Sequence, residues 1–396
     1  MKHMVNLINY TKKGLADLPS NPILKFSDYA SKIPDVIKFT LGEPDFDTPE
    51  HIKQATIKSV TDNHSHYAPS NGTIGLRKAA ANFLAEKYGQ KYNPETEVLV
   101  TTGVSESIFD TVLACLNQGD VMVVPTPVFP LYMSDANIIN EGVEIVKVDI
   151  SDDGFKLTPE KLQAVLDQYG ERVRMLVMNY PTNPTGVTYT QDELDALADV
   201  IRDKPIFALC DEIYSELCYD GPHASMEKSL HDQVIVMNGV SKAWAMTGYR
   251  IGIVCAPKGV LEQIAKVHQA IVTTEPTPMQ DAAEEAFKNG MDDSKPMKEE
   301  FQKRRDVLYK GLTEIGFECA KPEGAFYIFA KIPEGLEQDD NKFIYDLVDK
   351  AHVAVTSGSC FAKGGEGYIR FSYAVAMAEI EEGLKRIAKY VEEYKK

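Results

Sequence analysis

The segment NGVSKAWAMTGYR holds two basic residues whose types and setting suit covalent amine chemistry on a phosphorylated ligand. Lys242 follows directly after an apolar run. A lysine at a strand end among apolar side chains has a lowered pKa and becomes a nucleophilic amine. Arg250, in the same segment, carries the planar guanidinium that binds phosphate through paired hydrogen bonds. From this segment alone, a surface lysine and a surface arginine are an equal alternative.

Three polar side chains follow other apolar runs. Asp211 ends the run IFALC, and a carboxylate at the carboxyl end of a buried strand faces the crevice where open α/β sheets bind ligands. Tyr214 comes three residues later in DEIYSEL and is close enough to share that site. Asn183 lies between two prolines in PTNPTG, where a rigid loop presents its amide. A helix-capping aspartate and a plain turn are the alternatives.

Three weaker signals point to anions and to a planar ring. TTGVSES places Ser105 at a predicted helix start, where free backbone N–H groups bind anions. Phe129 in PTPVFPLY can stack on a flat ligand, although core packing is its commoner role. Arg370 lies inside the apolar segment YIRFSYA, and a buried arginine requires an anionic partner, either a ligand or a structural carboxylate.

Together these groups match a single ligand. They supply an amine that forms a Schiff base, a carboxylate for a pyridinium nitrogen, a phenol and an amide for a ring hydroxyl, and a phosphate site. A separate arginine remains for a substrate carboxylate. Those are the requirements of pyridoxal 5′-phosphate with an amino acid.

The elements that position these residues form a regular alternation from residue 98 onward. Apolar runs separated by helical stretches predict a mostly parallel sheet covered on both faces. Helices are predicted over Ser105–Asn117, with Ser105 as the N-cap, and over Gln191–Asp203, with a capping box from Thr190 and Glu193. The seven predicted strands are Val98–Val104, Val121–Pro125, Val143–Ile150, Met175–Tyr180, Ile206–Cys210, Val234–Val240 and Ile251–Ala256.

The pattern changes beyond Pro276. The charged amphipathic stretch Ser294–Gly316 predicts a long helix, and shorter strand-like and helical segments follow it to the end of the chain. We therefore predict a smaller α+β domain. The expected organisation is an N-terminal arm that contributes to the small domain (1–45), a large cofactor-binding domain (46–285) and a small C-terminal domain (286–396).

Composition limits the classes of partner. The 396 residues carry a formal net charge of −17, which disfavours binding to nucleic acid and to anionic membranes. None of the six cysteines forms a CxxC pair, so we expect reduced thiols and a cytoplasmic location. The N-terminus lacks a signal-peptide pattern, and no apolar run is long enough to span a membrane. His64 and His66 lack a ligand cluster around them, and no catalytic metal is predicted.

Nine motifs in order resemble class I aminotransferases of fold type I, in the bacterial subgroup with GEPDFDTP near the start. The resemblance covers almost the whole chain and implies a three-layer α/β sandwich around a seven-stranded sheet, plus the smaller α+β domain. The motifs are LGEPDFDTP, HYAPSNG, TTGVSES, PTPVFPLY, NYPTNPTG, DEIYSEL, SKAWAMTGYRIG, GAFYIF and YIRFSYA.

The resemblance also implies a role for each candidate residue. Lys242, Asp211 and Tyr214 are the expected catalytic residues: Lys242 binds the cofactor covalently and moves the substrate proton, Asp211 holds the ring nitrogen, and Tyr214 binds the phenolic oxygen. Arg370 is expected to hold the substrate carboxylate beside Asn183 and the Gly42 backbone. Tyr67 is expected to reach the phosphate of a neighbouring subunit, which implies a homodimer with shared active sites. The further cofactor-binding residues are Val104, Ser105, Phe129, Asn183, Ser241 and Arg250.

The predicted reaction is ping-pong transfer of an amino group from an amino acid, with aromatic donors favoured, to a 2-oxo acid such as 2-oxoglutarate. The sequence resembles most closely the aromatic and N-acetyl-LL-diaminopimelate aminotransferases of Gram-positive bacteria. Relatives that act on aspartate often carry lysine at the position of Ser105, which weakens that alternative. A pyridoxal-phosphate-dependent carbon–sulfur β-lyase and a non-catalytic ligand sensor are the more distant alternatives.

Overall fold

A computed structural model describes residues 7–11, 22–139 and 142–395 of the chain. The α-helices are α1 Pro22–Ala30, α2 Glu50–Thr61, α3 Ile74–Tyr88, α4 Gly103–Cys115, α5 Leu131–Ile139, α6 Pro159–Tyr169, α7 Gln191–Ile201, α8 Glu227–Leu230, α9 Val240–Ala243, α10 Lys258–Ile271, α11 Thr277–Asn289, α12 Ser294–Ile315, α13 Asp340–Ala351 and α14 Met377–Tyr394. The strands are β1 Ile37–Lys38, β2 Val98–Thr101, β3 Val121–Thr126, β4 Glu144–Asp149, β5 Val173–Asn179, β6 Phe207–Asp211, β7 Val234–Gly239, β8 Gly252–Cys255, β9 Glu318–Cys319, β10 Tyr327–Lys331, β11 Val353–Ala354, β12 Thr356–Ser357 and β13 Tyr368–Ser372.

The large sheet has seven strands in the order β2-β8-β7-β6-β5-β3-β4. Strand β8 runs antiparallel to both of its neighbours, and the other pairings are parallel. Each of the seven predicted apolar runs overlaps one of these strands, and the bounds differ by up to three residues. The mostly parallel, seven-stranded α/β sheet predicted from the sequence is confirmed.

Alternate residues of the central strands enter different hydrophobic cores, which makes the arrangement three-layered. Val121 and Val123 of β3 pack into one core, whereas Met122 and Val124 pack into another. A strand with both faces covered has this property because successive side chains point to opposite sides. The first core includes side chains from α3, α6, α7 and α11, and the second includes side chains from α4, α5 and α10.

Local signals fixed one helix start correctly and misplaced another. The capping box of Thr190 and Glu193 begins α7 as predicted. The prediction that Ser105 is the N-cap of the preceding helix was wrong, because α4 begins at Gly103 and Thr102 is its N-cap. The physical reason is that the Glu106 carboxylate accepts the Thr102 backbone N–H. This bond stabilises the helix start at Thr102, about one turn before Ser105.

A third core lies around a four-stranded antiparallel sheet in the order β12-β13-β10-β9. Helices α12, α13 and α14 pack on it, and the N-terminal segment contributes Phe26 and Phe39 to the same core. Strand β1 pairs in parallel with β11, which ties residues near the start of the chain to residues near its end. The proposed boundaries at 45/46 and 285/286 remain predictions.

Among the described residues, no helix combines the length and the apolar character that crossing a bilayer requires. The N-terminal stretch used for the signal-peptide prediction falls partly outside these residues.

Candidate active site

A cavity of about 470 Å³ lies where the large sheet meets the core around the four-stranded antiparallel sheet. Strands β2, β3, β5, β6 and β7 run in one direction, so their carboxyl ends share one edge of the sheet, and open α/β sheets bind ligands there. Of the twelve predicted site residues, all except Tyr67 line this cavity. They are Gly42, Val104, Ser105, Phe129, Asn183, Asp211, Tyr214, Ser241, Lys242, Arg250 and Arg370.

Lys242 lies on the short helix α9, directly after β7. Burial lowers the pKa of its ammonium group to about 8, and the neighbouring carboxylates Glu43 and Asp211 oppose that effect. Its Nζ donates a hydrogen bond to the Gly42 carbonyl oxygen at 2.6 Å. The same nitrogen lies 5.8 Å from the ring centre of Tyr214. At pH 7 about a tenth of this amine is therefore in the neutral form that a nucleophile requires, far more than for an ordinary lysine.

Asp211 is the last residue of β6, and only 4% of its surface is exposed. Burial raises the pKa of its carboxyl group to about 6, while the Tyr132 hydrogen bond acts in the opposite direction. The Tyr132 hydroxyl donates to Oδ2 at 2.6 Å, and the Ile213 backbone N–H donates to Oδ1 at 3.1 Å. The carboxylate is thus held in a fixed orientation and remains ionised at pH 7.

The N-terminus of α4 and Arg250 form a positively charged end of the cavity. The Arg250 guanidinium donates to the carbonyl oxygens of Thr247 at 3.0 Å and Thr102 at 3.4 Å. Gly103 has a φ of +73°, and a Cβ there would overlap the guanidinium. A glycine is required because it permits both this backbone conformation and the close approach. Free amides of the first helical turn beside a cation form an anion site.

Arg370 lies on β13 and is 4% exposed. Its Nη1 donates to the Asn183 side-chain oxygen at 2.9 Å, and its Nη2 donates to the Thr40 carbonyl oxygen at 3.0 Å. Its Nε–H finds no acceptor within the described parts of the chain. None of these partners is a carboxylate, so the positive charge is buried without a counter-ion from the described residues. Such a group is suited to an anionic ligand.

Sequence analysis missed four residues that shape this cavity, although three of them, Tyr132, Asn179 and Tyr327, lie within motifs noted above. Tyr132 orients Asp211, and the Tyr327 hydroxyl lies 2.9 Å from the Tyr214 hydroxyl. Asn179 is paired with Asp211 in register, and its side-chain oxygen accepts the Asn183 backbone N–H at 3.0 Å. The available signal was a polar residue at a strand end for Asn179 and a tyrosine three residues beyond Phe129 for Tyr132. Thr40 offers only a backbone carbonyl and left no side-chain signal.

Tyr67 does not line the cavity of this chain, and 87% of its surface is exposed. The loop that carries it is held to the region before and at the start of α11. The Thr277 hydroxyl donates to the His66 carbonyl oxygen at 2.7 Å, and the Thr274 hydroxyl donates to that of Pro69 at 3.3 Å. The predicted contact with a neighbouring subunit stays a prediction.

The donor set of the cavity fits pyridoxal 5′-phosphate. A buried amine matches the aldehyde, a buried carboxylate matches the ring nitrogen, and the end of α4 with Arg250 matches the phosphate. The unsatisfied Nε–H of Arg370 is left for a substrate carboxylate. The volume also falls within the range of small-molecule sites, roughly 300–1,000 Å³.

Comparisons with known proteins agree with this geometry. The family model described as "Aminotransferase class I and II" matches residues 34–387. The chain is 39% identical over 392 residues to the probable N-acetyl-LL-diaminopimelate aminotransferase of Bacillus subtilis, covering 99% of this chain and 96% of that protein. It is 33% identical to aromatic-amino-acid aminotransferase 2 of Thermococcus litoralis, covering 94% and 96%.

A solved structure shows the same architecture. The aromatic aminotransferase of Pyrococcus horikoshii OT3 superposes with a TM-score of 0.86 at 35% identity, covering 93% of this chain and 99% of that one. The family match spans most of the sequence, including every residue of the cavity described above except Ile23. The protein therefore belongs to the class I and II aminotransferases, enzymes that depend on pyridoxal 5′-phosphate.

Proposed function

We propose that this aminotransferase moves the amino group of an aromatic L-amino acid to a 2-oxo acid such as 2-oxoglutarate. The observation that carries the proposal is a single cavity lined by Lys242, Asp211 and Arg370. One of these groups is an amine with a pKa of about 8, and one is a carboxylate held ionised. The third is a buried cation with an unsatisfied donor.

The residues that would hold the cofactor occupy distinct parts of the cavity. Asp211 would hold the protonated ring nitrogen, and Tyr214 with the Asn183 amide would bind the phenolic oxygen. Phe129 would pack against the ring face. The phosphate would be held by the Val104 and Ser105 backbone amides, the Ser241 hydroxyl and Arg250, all of which line the cavity.

When bound, pyridoxal 5′-phosphate supplies an electron sink that stabilises negative charge at the substrate Cα. Lys242 Nζ would accept the proton from the substrate Cα and deliver it to the C4′ atom of the cofactor. Accepting the proton requires the amine to be neutral. The lowered pKa of this group provides that form near neutral pH. Asp211 keeps a negative charge beside the ring nitrogen, because its pKa of about 6 leaves it ionised at pH 7.

Arg370 would bind the substrate α-carboxylate and so fix the direction of the Cα–H bond. The Asn183 oxygen and the Thr40 carbonyl hold the guanidinium from one side. The Tyr327 ring lies 4.5 Å from the guanidinium carbon and limits its rotation. A planar guanidinium held in this way orients a carboxylate as well as attracting it.

The rest of the lining favours a neutral side chain on the donor. Ile23 and Leu41 contribute apolar surface, and Glu43 adds a carboxylate that would repel a second acidic group. The cations of the lining are Lys242, Arg250 and Arg370, and each already has a function in the scheme above. An aromatic side chain therefore fits this chain's part of the site better than the side chain of aspartate.

We further propose a homodimer in which Tyr67 completes the neighbouring site, together with a cytoplasmic location. The exposed Tyr67 on a tethered loop supports the first part. The six cysteines are all free thiols, which supports the second. A native mass of one chain at micromolar concentration would contradict the dimer. Reduced cofactor affinity in Tyr67→Phe with an unchanged native mass would support the shared site.

N-acetyl-LL-diaminopimelate is the second candidate donor, because the relative with 39% identity is named for it. Aspartate is the third, and the lining disfavours it because each lining cation already has another function and Glu43 would repel a second carboxylate. A donor profile separates the three. We expect the purified holoenzyme to convert L-phenylalanine and L-tyrosine with 2-oxoglutarate as acceptor faster than it converts aspartate.

The decisive measurement is the visible spectrum of the enzyme before and after L-phenylalanine is added without any 2-oxo acid. Loss of the cofactor's visible absorbance, with recovery on adding 2-oxoglutarate, supports aromatic transamination. An unchanged spectrum with phenylalanine, but a change with N-acetyl-LL-diaminopimelate, would replace the proposed donor. Pyruvate released from cystathionine without an acceptor would instead support the β-lyase alternative.

A further inference from the structure

A second cluster of ionisable side chains lies behind the active site. Glu106 and Asp110 lie one turn apart on α4, His268 lies on α10, and Glu275 lies just before α11. The side chains of Asp110, His268 and Glu275 are 0% exposed, and that of Glu106 is 8% exposed. None of the four lines the active-site cavity, and the proposed reaction does not use them.

One neighbour fixes the proton on the Nε2 nitrogen of His268. Its Nε2 lies 2.9 Å from the Ser70 carbonyl oxygen, so this nitrogen must carry the donated proton. Its Nδ1 therefore faces the carboxylates. It lies 3.0 Å from Glu106 Oε1, 3.7 Å from Glu275 Oε1 and 3.9 Å from Asp110 Oδ2. When Nδ1 carries a proton, it donates a hydrogen bond to Glu106; when it does not, it presents to the three carboxyl groups a lone pair that a metal ion could take.

Four carboxylate oxygens in the cluster lack donors. Both oxygens of Asp110 and both oxygens of Glu275 accept no hydrogen bond from any residue that the structure describes. Buried carboxylates without donors are strongly destabilising. A cation bound among these oxygens would supply the partner that they lack.

We propose that Glu106, His268 and Glu275, with Asp110 beside them, bind one divalent transition-metal ion with the chemistry of Zn²⁺. Donor atoms of Glu106, His268 and Glu275 all lie within 4.8 Å of one another. Bonds of about 2.0–2.1 Å in a tetrahedral zinc site separate neighbouring ligands by roughly 3.3 Å. The distances from Nδ1 to the three carboxylates, 3.0–3.9 Å, bracket that value.

Two chemical features favour zinc over magnesium or calcium. An imidazole nitrogen suits zinc, whereas magnesium and calcium select oxygen ligands alone. The bond from His268 Nε2 to the Ser70 carbonyl is the contact that metal-binding histidines usually make with their second nitrogen. The ion would lie outside the active-site cavity and have a structural role, so it differs from the catalytic metal whose absence the sequence predicts.

The position of the ion links it to the start of α4. Glu106 also accepts the Thr102 backbone N–H, and the Thr102 carbonyl accepts a hydrogen bond from Arg250. A metal would join α4 to α10 and to the segment before α11. It would therefore fix the helix N-terminus at which the cofactor phosphate is proposed to bind.

The test measures metal directly in the purified full-length holoenzyme after dialysis into metal-free buffer. We expect about one zinc ion per chain by inductively coupled plasma mass spectrometry. We also expect that stripping with a chelator and then adding Zn²⁺ raises Tm by about 3–6 °C at a hundredfold excess over Kd. His268→Gln should lose both effects. His64→Gln should keep both, because His64 pairs with Asp281 on the exposed surface.

Three outcomes overturn the proposal. If the wild-type protein holds far less than one equivalent of metal and its Tm does not shift with Zn²⁺, protons rather than a metal neutralise the cluster. If His268→Gln retains the wild-type metal content, the metal is an adventitious ion only. If His268→Gln does not fold, Glu275→Gln replaces it, since it keeps the size of the side chain and removes one charge. Retention of one zinc ion and of the Zn²⁺-dependent Tm shift by Glu275→Gln would then reject the site.

Discussion

The two walls of the active-site cavity are built in different ways. The cofactor wall consists of Asp211, Lys242 and the start of α4. Asp211 ends a strand of the seven-stranded sheet, and the other two follow directly after strands of the same sheet. The substrate wall consists of Gly42, Tyr327 and Arg370, which come from an N-terminal loop and two strands of the small antiparallel sheet. The hydrogen bond from Lys242 Nζ to the Gly42 carbonyl oxygen connects the two walls directly.

This difference predicts two kinds of failure. The cofactor wall depends on strand ends and backbone amides, which the packed sheet fixes rigidly. Changes there should alter cofactor binding or the proton-transfer step. The substrate wall depends on one arginine whose position is set by packing between distant segments. Changes there should alter substrate binding while the cofactor remains in place.

The largest effect is expected at Lys242. Lys242→Ala removes the amine that accepts the substrate proton, so kcat should fall by about 10⁴-fold or more. The rate of the half-reaction with the amino donor, followed by absorbance, measures this loss. Lys258→Ala is the control because its side chain is exposed on α10. Equal losses in the two variants would contradict the assignment.

Arg370→Lys should distinguish the substrate wall from the cofactor wall. Lysine keeps the charge but loses the planar pair of donors, so kcat/KM for the amino donor should fall by about 10- to 100-fold. Cofactor affinity should stay unchanged. Arg305→Lys serves as the matched control, since this buried arginine pairs with Asp220 at 3.0 Å outside the cavity. It should lower Tm without changing KM.

Gly103→Ala should weaken the phosphate end of the cofactor wall. A Cβ there overlaps the Arg250 guanidinium, so the Kd for pyridoxal 5′-phosphate should rise by about tenfold. Gly119→Ala is the matched control because Gly119 has a φ of +93° and nothing within 4 Å of an added Cβ. Both variants should lose about 1–2 kcal/mol of stability from backbone strain. A normal Kd in Gly103→Ala would show that the phosphate lies elsewhere.

The smallest effect is expected from Tyr132→Phe, and it concerns pH. The Tyr132 hydrogen bond opposes the effect of burial on Asp211, so its loss raises the pKa of that carboxyl further above about 6. Asp211 must be ionised, so activity should be lost at a higher pH as the solution is acidified. We expect the acidic limb of the kcat/KM profile to move up by about half to one pH unit.

Tyr92→Phe controls for the loss of a buried hydroxyl. Tyr92 is buried outside the cavity, and its hydroxyl has no hydrogen-bond partner among the described residues. This variant should leave the pH profile in place. An acidic limb that moves equally in both variants would mean that Asp211 is not the group that titrates.

Much of the cofactor wall could be predicted because its signals are local. A lysine, an aspartate and a glycine-containing turn each follow an apolar run, and parallel strands bring such positions to one edge. Reliance on local signals also led to the wrong predicted start of α4. Ser105 is a strong local capping signal, but the Glu106 carboxylate caps Thr102 instead.

The sequence by itself determined the seven strands, the capping box of α7 and the residue types that covalent cofactor chemistry requires. Each of these depends on neighbours within a few positions along the chain. Tertiary structure alone decided that Tyr132 orients Asp211 and that Thr40 holds Arg370. It also decided that His268 meets three carboxylates. Those contacts join residues far apart in the sequence, and packing between elements, which no local pattern encodes, sets the distances between them.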